Sequence, residues 1–240
     1  MLSKIHGSAV YGIEAVPVTV EVNIDPGVGY HLVGLPDNAI RESNYRIASA
    51  LSQIGYRIPG KKITINLSPA DLRKEGACYD LPLALGILLA SGQLSSDILP
   101  NYLIMGELSL DGQLQPIKGA LPIALAARKN GLKGIVLPLA NAPEAAVVKG
   151  LEVRGATNLG EVIEFFKGNN ELKRASFPLI PSKGTGSGFP DFSEVRGQET
   201  VKRCMEIAAA GGHNLILIGP PGSGKTMLAR RLPGILPPMS

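Results

Sequence analysis

The chain has 240 residues, 45% apolar and 18% charged, with a formal net charge of +4. That apolar share fills packed cores for one or two domains and excludes a chain too polar to build one. The charge is uneven: residues 1–166 hold 14 Lys+Arg and 15 Asp+Glu, residues 167–240 hold 10 and 5, so any attraction to nucleic acid belongs to the C-terminal part. In chain order, Met1-Leu2-Ser3-Lys4-Ile5-His6-Gly7 lacks the apolar core of a signal peptide. Residues 15–24 alternate strictly, with Val16, Val18, Val20, Val22 and Ile24 on one face, which predicts a half-buried strand. Pro17 lies early in it and points to an edge or a strand start. Residues 30–35 read as a partner strand. Pro36-Asp37 opens a helix through about residue 54, with Ile40, Ile47, Ala50, Leu51 and Ile54 inward and Gly55 as its stop. Residues 62–67 predict another strand, and residues 79–91 a helix apolar nearly all round and therefore central. Residues 103–110 and 113–117 read as a hairpin across Asp111-Gly112, a pair that accepts the positive φ of a tight turn. Helix 119–130, strand 134–138, helix 142–148, strand 151–155 and helix 158–166 complete an alternating α/β unit.

Composition then shifts. Pro178, Pro181 and Pro190 punctuate residues 167–190, and Lys183-Gly184-Thr185-Gly186-Ser187-Gly188 is spacer composition, so this stretch is expected to be a linker. A second domain is expected from Asp191, with a helix over 198–210 and a strand over Asn214-Leu215-Ile216-Leu217-Ile218. Next comes Gly219-Pro220-Pro221-Gly222-Ser223-Gly224-Lys225-Thr226, which fits the phosphate-loop pattern G-x-x-x-x-G-K-[ST], followed by good helix formers at 227–232. Strand, glycine loop and helix are what polyphosphate binding requires. Gly222 and Gly224 let the loop wrap and turn its N–H groups inward, and the helix start adds its own donors. Lys225 is placed to reach the β- and γ-phosphates of ATP, and the Thr226 hydroxyl to bind Mg²⁺. A hydrolase of this class also needs an acidic residue closing a second strand. None is legible after residue 226, so residues 191–240 are expected to form one wall of a nucleotide site and to sustain no hydrolysis alone.

Cys78 and Cys204 lie far apart with no C-x-x-C pair, which argues against a zinc site or disulfide framework and fits a reducing cytosol. The most apolar stretch, residues 81–90, is too short to cross a bilayer, so a cytoplasmic chain is expected.

Several blocks together resemble the magnesium-chelatase-like AAA+ ATPases of the ComM/YifB group. They are Val33-Gly34-Leu35-Pro36-Asp37, Asn66-Leu67-Ser68-Pro69-Ala70-Asp71, Lys74-Glu75-Gly76 with Tyr79-Asp80-Leu81-Pro82, and Gly106-Glu107-Leu108-Ser109-Leu110-Asp111-Gly112. The others are Gly211-Gly212-His213-Asn214-Leu215 and Arg230-Arg231-Leu232-Pro233-Gly234-Ile235-Leu236-Pro237-Pro238. The resemblance implies an α/β fold in which residues 1–166 form a Lon-protease-like domain of the ribosomal-protein-S5 domain 2-like type. Residues 191–240 would start a P-loop AAA+ domain, with Gly197-Gln198 near the adenine. It implies assembly into a hexameric ring and ATP-driven remodelling of DNA, as a branch-migration helicase of natural transformation or recombination.

A Lon-type protease pairs a serine nucleophile with a lysine that must lose its proton. By resemblance Cys78 falls at the nucleophile position and Leu121 at the lysine position, so no dyad is expected; Lys118, three residues earlier, is expected to point elsewhere. Cys78 is expected to be a small hydrophobe. Asp71, Glu75 and Asp80 lie close enough in sequence to suggest metal or acid–base work, but are read as capping and solvating the turn before the central helix. His6, His31 and His213 are scattered. His213 could touch nucleotide or a neighbouring subunit, or be a structural histidine. Arg230 and Arg231 are read either as phosphate or subunit contacts or as a solvated face. Lys61, Lys62, Arg41 and Arg46 are too sparse for a nucleic-acid patch. Three other readings stay open: a chelatase-type motor inserting Mg²⁺ into a porphyrin, which a Lon-like N-terminal domain argues against; an ATP-dependent protease or unfoldase, which Leu121 argues against; and a non-enzymatic assembly or DNA-binding scaffold.

Overall fold

The computed structural model describes residues 2–176 and 189–236. The chain divides into two compact units, Met1–Pro178 and Leu179–Ser240. The Lys183 to Gly188 spacer and the prolines at 178, 181, 237 and 238 lie outside the described residues.

The first unit is a mixed α/β layer structure. Its strands are β1 (Leu2–Tyr11), β2 (Glu14–Asp25), β3 (Gly29–Val33), β4 (Lys62–Ser68), β5 (Tyr102–Ile104), β6 (Glu107–Leu108), β7 (Leu114–Gln115), β8 (Gly134–Pro138), β9 (Glu152–Ala156) and β10 (Lys173–Arg174). Its helices are α1 (Asn38–Arg41), α2 (Ser43–Gln53), α3 (Asp80–Ala90), α4 (Ala120–Lys129), α5 (Ala142–Ala145) and α6 (Leu159–Phe166). Eight strands form one sheet in the order β10-β9-β8-β5-β1-β2-β4-β3, and β6 and β7 pair separately. The β1–β2, β2–β4 and β9–β10 pairs are antiparallel; β3–β4, β1–β5, β5–β8 and β8–β9 are parallel.

Of the inward face expected for β2, Val18, Val20, Val22 and Ile24 are buried and Val16 is half-buried. Pro17 sits opposite Ser8 of β1, while β4 pairs with β2 only from Thr19 onward, so on that side Pro17 occupies a local edge. No element was expected over residues 2–11, yet they form β1, a central strand. The expected 103–117 hairpin is corrected: β5 joins the main sheet between β1 and β8, and only β6 and β7 form the hairpin. The break falls at Gly106, where a Cβ would lie 2.9 Å from a Leu114 methyl and 3.2 Å from a Leu81 methyl. The single helix expected after Pro36 is two, α1 and α2, meeting at Glu42. The first unit also runs past residue 166: Leu172 is buried, Ala175 N donates to Val153 O at 2.9 Å, and Arg154 donates to Leu172 O at 2.7 Å.

Helix α3 is buried on every side but Leu89 and lies on β1 and β2. Gly86 permits the approach, since a Cβ there would meet Val22 Cγ2 at 2.7 Å. Ser3 Oγ donates to Gly86 O at 2.9 Å and Tyr79 Oη to Ser8 O at 2.9 Å. At its start Asp80, expected to be solvated, has no exposed surface. It accepts from Arg46 Nε at 2.7 Å and Nη2 at 2.9 Å, and from Leu108 N at 3.2 Å. Burial pushes the Asp80 carboxyl above the usual carboxylate range, and the Arg46 guanidinium opposes that push.

The segment before α3 is buckled to the end of β3. Lys74 is fully buried, and its ammonium donates to Gly34 O at 3.1 Å and to Pro69 O. Asp37 caps α1 through Ile40 N at 2.9 Å and also accepts from Gly76 N at 2.8 Å. Asp37 N donates to Lys74 O at 3.0 Å and Lys74 N to Leu35 O at 3.1 Å. Burial pulls the Lys74 ammonium below the usual lysine range against the charge of Asp71. Gly34 is required twice over: φ is +97°, and a Cβ would lie 2.2 Å from Leu67 O.

Two stability predictions follow from this packing. Gly34→Ala is expected to cost the 240-residue chain about 3 kcal/mol or more in urea unfolding. Gly12→Ala, at φ +62° with nothing within 4 Å, is expected to cost only about 1 kcal/mol. Arg46→Ala, which strands a buried carboxylate, is expected to cost about 3 kcal/mol or more, and the double change with Asp80→Leu to cost less than the single one.

Candidate nucleotide site

The second unit carries a short 3-10 turn, Phe192–Glu194, then α7 (Glu199–Gly211) and α8 (Lys225–Ala229). Its core is small: Val195, Met205 and Leu228 are buried, with Phe192, Val201, Leu217 and Leu232 packed on them. Val201 and Met205 lie one turn apart on α7, and Leu228 brings α8 to the same cluster, so the loop between them is held at its helical end. Asp191 caps the 3-10 turn through Ser193 N at 2.7 Å.

Of the eight residues Gly219, Pro220, Pro221, Gly222, Ser223, Gly224, Lys225 and Thr226, the first six form the loop and the last two open α8. Gly222 has φ +81° and Gly224 φ +82°, conformations that L side chains rarely adopt. Lys225 Nζ folds back over the loop and donates to Gly219 O and Pro220 O, both at 2.7 Å, with Ser223 Oγ at 3.4 Å. Ser223 N donates to Pro220 O at 3.3 Å and Gln198 Nε2 to Ser223 O at 3.0 Å. The lysine thus crosses the mouth of the turn, and Thr226 is exposed at the helix start.

The strand expected before the loop is not formed. Residues 213–220 pair with no strand among the described residues, and Ile216 and Ile218 are 80% and 88% exposed. The physical reason is that a lone extended segment has no hydrogen-bond partner for its backbone, and no other strand of this unit is described beside it.

The two arginines after the loop separate in role. Arg231 donates to Asp191 O at 2.9 Å, Met227 O at 3.0 Å and Glu194 Oε2 at 2.6 Å, so it clips the end of α8 to the 3-10 turn. Arg230 is exposed. His213 is exposed and its N–H closes the end of α7 on Ala208 O at 2.9 Å.

Cys78 sits in the 3-10 turn before α3 with its Sγ 3.8 Å from Glu75 O. Burial, reinforced by the charges of Asp80, Asp37 and Glu107, pushes the thiol up to about 12. Leu121 packs against the core, and its N–H donates to Glu144 at 2.9 Å. Lys118 is exposed and makes no hydrogen bond to Cys78 among the described residues. Asp71 is exposed and Glu75 pairs with Arg73 at 3.0 Å on the surface, so neither joins Asp80 in a site. His6 lies in β1 opposite Leu103, His31 is exposed on β3, and Arg41, Lys61 and Lys62 are exposed. Arg46 is engaged by Asp80 and Ala39 O. Among the described residues no group of three or more His, Cys, Asp or Glu is placed to hold a metal ion, and no helix is long and apolar enough to cross a membrane.

Sequence reasoning named Lys74 only within a family block and Gln198 only beside the adenine; it missed the burial of Lys74 among carbonyls and the reach of Gln198 to the loop, since nothing in neighbouring residues signals either.

Two family descriptions match the chain: "Subunit ChlI of Mg-chelatase" over residues 20–141 and "Magnesium chelatase, subunit ChlI" over residues 191–240. The YifB protein of Escherichia coli (strain K12) is 46% identical over 241 residues, which is all of this chain and 47% of that protein. Competence protein ComM of Haemophilus influenzae is 41% identical over 242 residues, again all of this chain and 47% of the relative. Lon protease 2 of Bacillus subtilis is 26% identical over 75% of this chain and 35% of its own length. The chain therefore spans about half the length of the curated relatives it matches in full. Matched along its whole length to YifB and ComM and by two ChlI descriptions, the chain belongs to the magnesium-chelatase ChlI-like family, in its ComM/YifB group.

Proposed function

We propose that the second unit supplies the phosphate wall of an ATP site, and that the longer protein is an ATP-driven AAA+ motor. The observation that carries the proposal is the turn at 219–226, with glycines at positive φ and one lysine folded over its mouth. Lys225 spends its charge on two loop carbonyls, and a β,γ-phosphate offers that ammonium stronger, charge-assisted partners at the same place. Gly222 and Gly224 keep side chains away from the anion. Thr226 would give Mg²⁺ one hydroxyl, and the ion would take its other ligands from phosphate oxygens and water, the manner in which Mg²⁺ binds with few protein groups. When bound, Mg²⁺ neutralises charge building on the transferred phosphoryl group.

In this reading residues 191–240 are one part of an AAA+ domain. The unpaired run at 214–218 supports it, since Ile216 and Ile218 are suited to lie between further strands. The 240-residue chain alone is expected to sustain no ATP turnover. Residues 1–166 are a Lon-like domain that works as an assembly and DNA-guiding scaffold in a hexameric ring, and the motor remodels branched DNA. Support for the scaffold role is the protonated Cys78 thiol and Leu121 in the place a lysine would need. A second reading, a chelatase-type motor, is favoured by the ChlI descriptions, one of which covers residues 20–141.

Three measurements test these readings. Lys225→Ala in the full-length protein is expected to weaken ATP binding by about tenfold or more in calorimetry, from loss of a charged hydrogen-bond donor. With ATP, full-length protein is expected to move branched DNA and form no magnesium porphyrin; the reverse outcome selects the chelatase reading. Burial raises the Cys78 thiol to about 12, which leaves little of the reactive thiolate at pH 8. Iodoacetamide should therefore label exposed Cys204 first, with Cys78 labelling accelerating as pH rises beyond 10. Fast labelling of Cys78 at pH 8 would restore it as a candidate nucleophile.

A further inference from the structure

Gln198 lies outside the phosphate-loop pattern but is built into the loop. It stands at the start of α7 with φ +60° and ψ +32°, a left-handed backbone. Among the described residues only Leu35 and Gln198 hold a positive φ without being glycine. Such a conformation is disfavoured for a side chain of this length and persists where surrounding contacts impose it. Side-chain caps at helix starts come mostly from Ser, Thr, Asp and Asn. Gln198 makes no cap bond; its Nε2 donates instead to Ser223 O at 3.0 Å. The same nitrogen is 3.7 Å from the point where a Cβ on Gly224 would stand.

The target of that bond matters. In a trans peptide the C=O and the following N–H point in opposite directions. Holding Ser223 O toward Gln198 therefore fixes the direction of the Gly224 N–H, one of the donors a phosphate loop offers. Gly224, at φ +82°, has no Cβ to resist rotation of that peptide, so hydrogen bonds must supply the restraint. Ser223 is also tied to Pro220 O through its N–H and lies 3.4 Å from Lys225 Nζ through its hydroxyl. The Gln198 amide is thus the one contact to this peptide that reaches in from α7.

We propose that Gln198 is a positioning residue for phosphate recognition: its amide locks the Ser223–Gly224 peptide plane so that the Gly224 N–H stays presented to a polyphosphate. The proposal rests on the phosphate-loop reading. It places the work of Gln198 on the phosphate side, whereas the family resemblance places Gly197-Gln198 beside the adenine. The two roles separate cleanly by ligand, because a brace on the loop acts on any polyphosphate and a base contact only on the nucleotide.

The experiment uses full-length protein, titrated calorimetrically with Mg²⁺–ATP and with inorganic tripolyphosphate, and melted without ligand. Gln198→Gly keeps the left-handed backbone and removes the amide. Gln198→Glu keeps the length but sets an oxygen against Ser223 O. Each is expected to weaken both ligands by about tenfold, with the Tm of Gln198→Gly equal to or above wild type. Weaker ATP with unchanged tripolyphosphate makes Gln198 a base contact and overturns the proposal. So does unchanged affinity for both, or affinity and Tm falling together in Gln198→Gly, the signature of a purely structural helix start. Wild type binding ATP but not tripolyphosphate also counts against it, since the loop then adds too little affinity to need a brace. If wild type binds neither ligand, the phosphate-loop reading falls and takes the proposal with it. If Lys225→Ala loses ATP while Gln198→Gly does not, only the role of Gln198 falls.

Discussion

A helix apolar on nearly every face can exist in water only by being enclosed, and the first unit is organised around enclosing α3. The β1–β2 hairpin lies against it, α2 packs beside it, and the buckle of Asp37, Lys74 and Gly76 fixes the chain that enters it. The same enclosure dictates the electrostatics at its start. Asp80 has no water to turn to, so Arg46 must answer it with two bonds and Leu108 with a third. Cys78, two residues earlier, is caught in the same low-dielectric surroundings beside carboxylates, which keeps its thiol protonated. The packing that encloses α3 thus also raises the thiol at the position that resembles a protease nucleophile.

The second unit works on a smaller scale. Three buried side chains and a few partners orient two helices, and the loop between them is shaped by glycines, a back-folded lysine and contacts from Gln198. Arg231 donates from Nε, Nη1 and Nη2 to hold α8 to the 3-10 turn, so charge near a phosphate loop is not by itself charge for a ligand. The apolar run preceding the loop has the composition of an interior strand and the exposure of a surface segment.

How much of this was legible follows from which forces are local. Strict alternation announced β2, and Asp37 and Gly55 marked their helix ends, because period and capping are written in neighbouring residues. Strand β1 was invisible because Ser3, Lys4, His6, Gly7 and Ser8 break any alternation; it is a strand because β2 and β5 flank it. The misplaced 103–117 hairpin has the same origin, since Asp111-Gly112 fixes a turn but says nothing of where its arms end. At the site the loop pattern was fully readable. The burial of Lys74 and Asp80 and the reach of Gln198 were not, because each depends on residues 25 or more positions away.

Gly34, Asp37, Lys74 and Gly76 all lie in blocks that carry the family resemblance, and all are spent on one structural fastening. Those blocks are therefore a record of architecture. Retention of these letters would then follow from stability whether or not any chemistry is retained. Divergence of purpose within such a lineage should be sought in the letters around the fastening, where a change leaves the clasp shut.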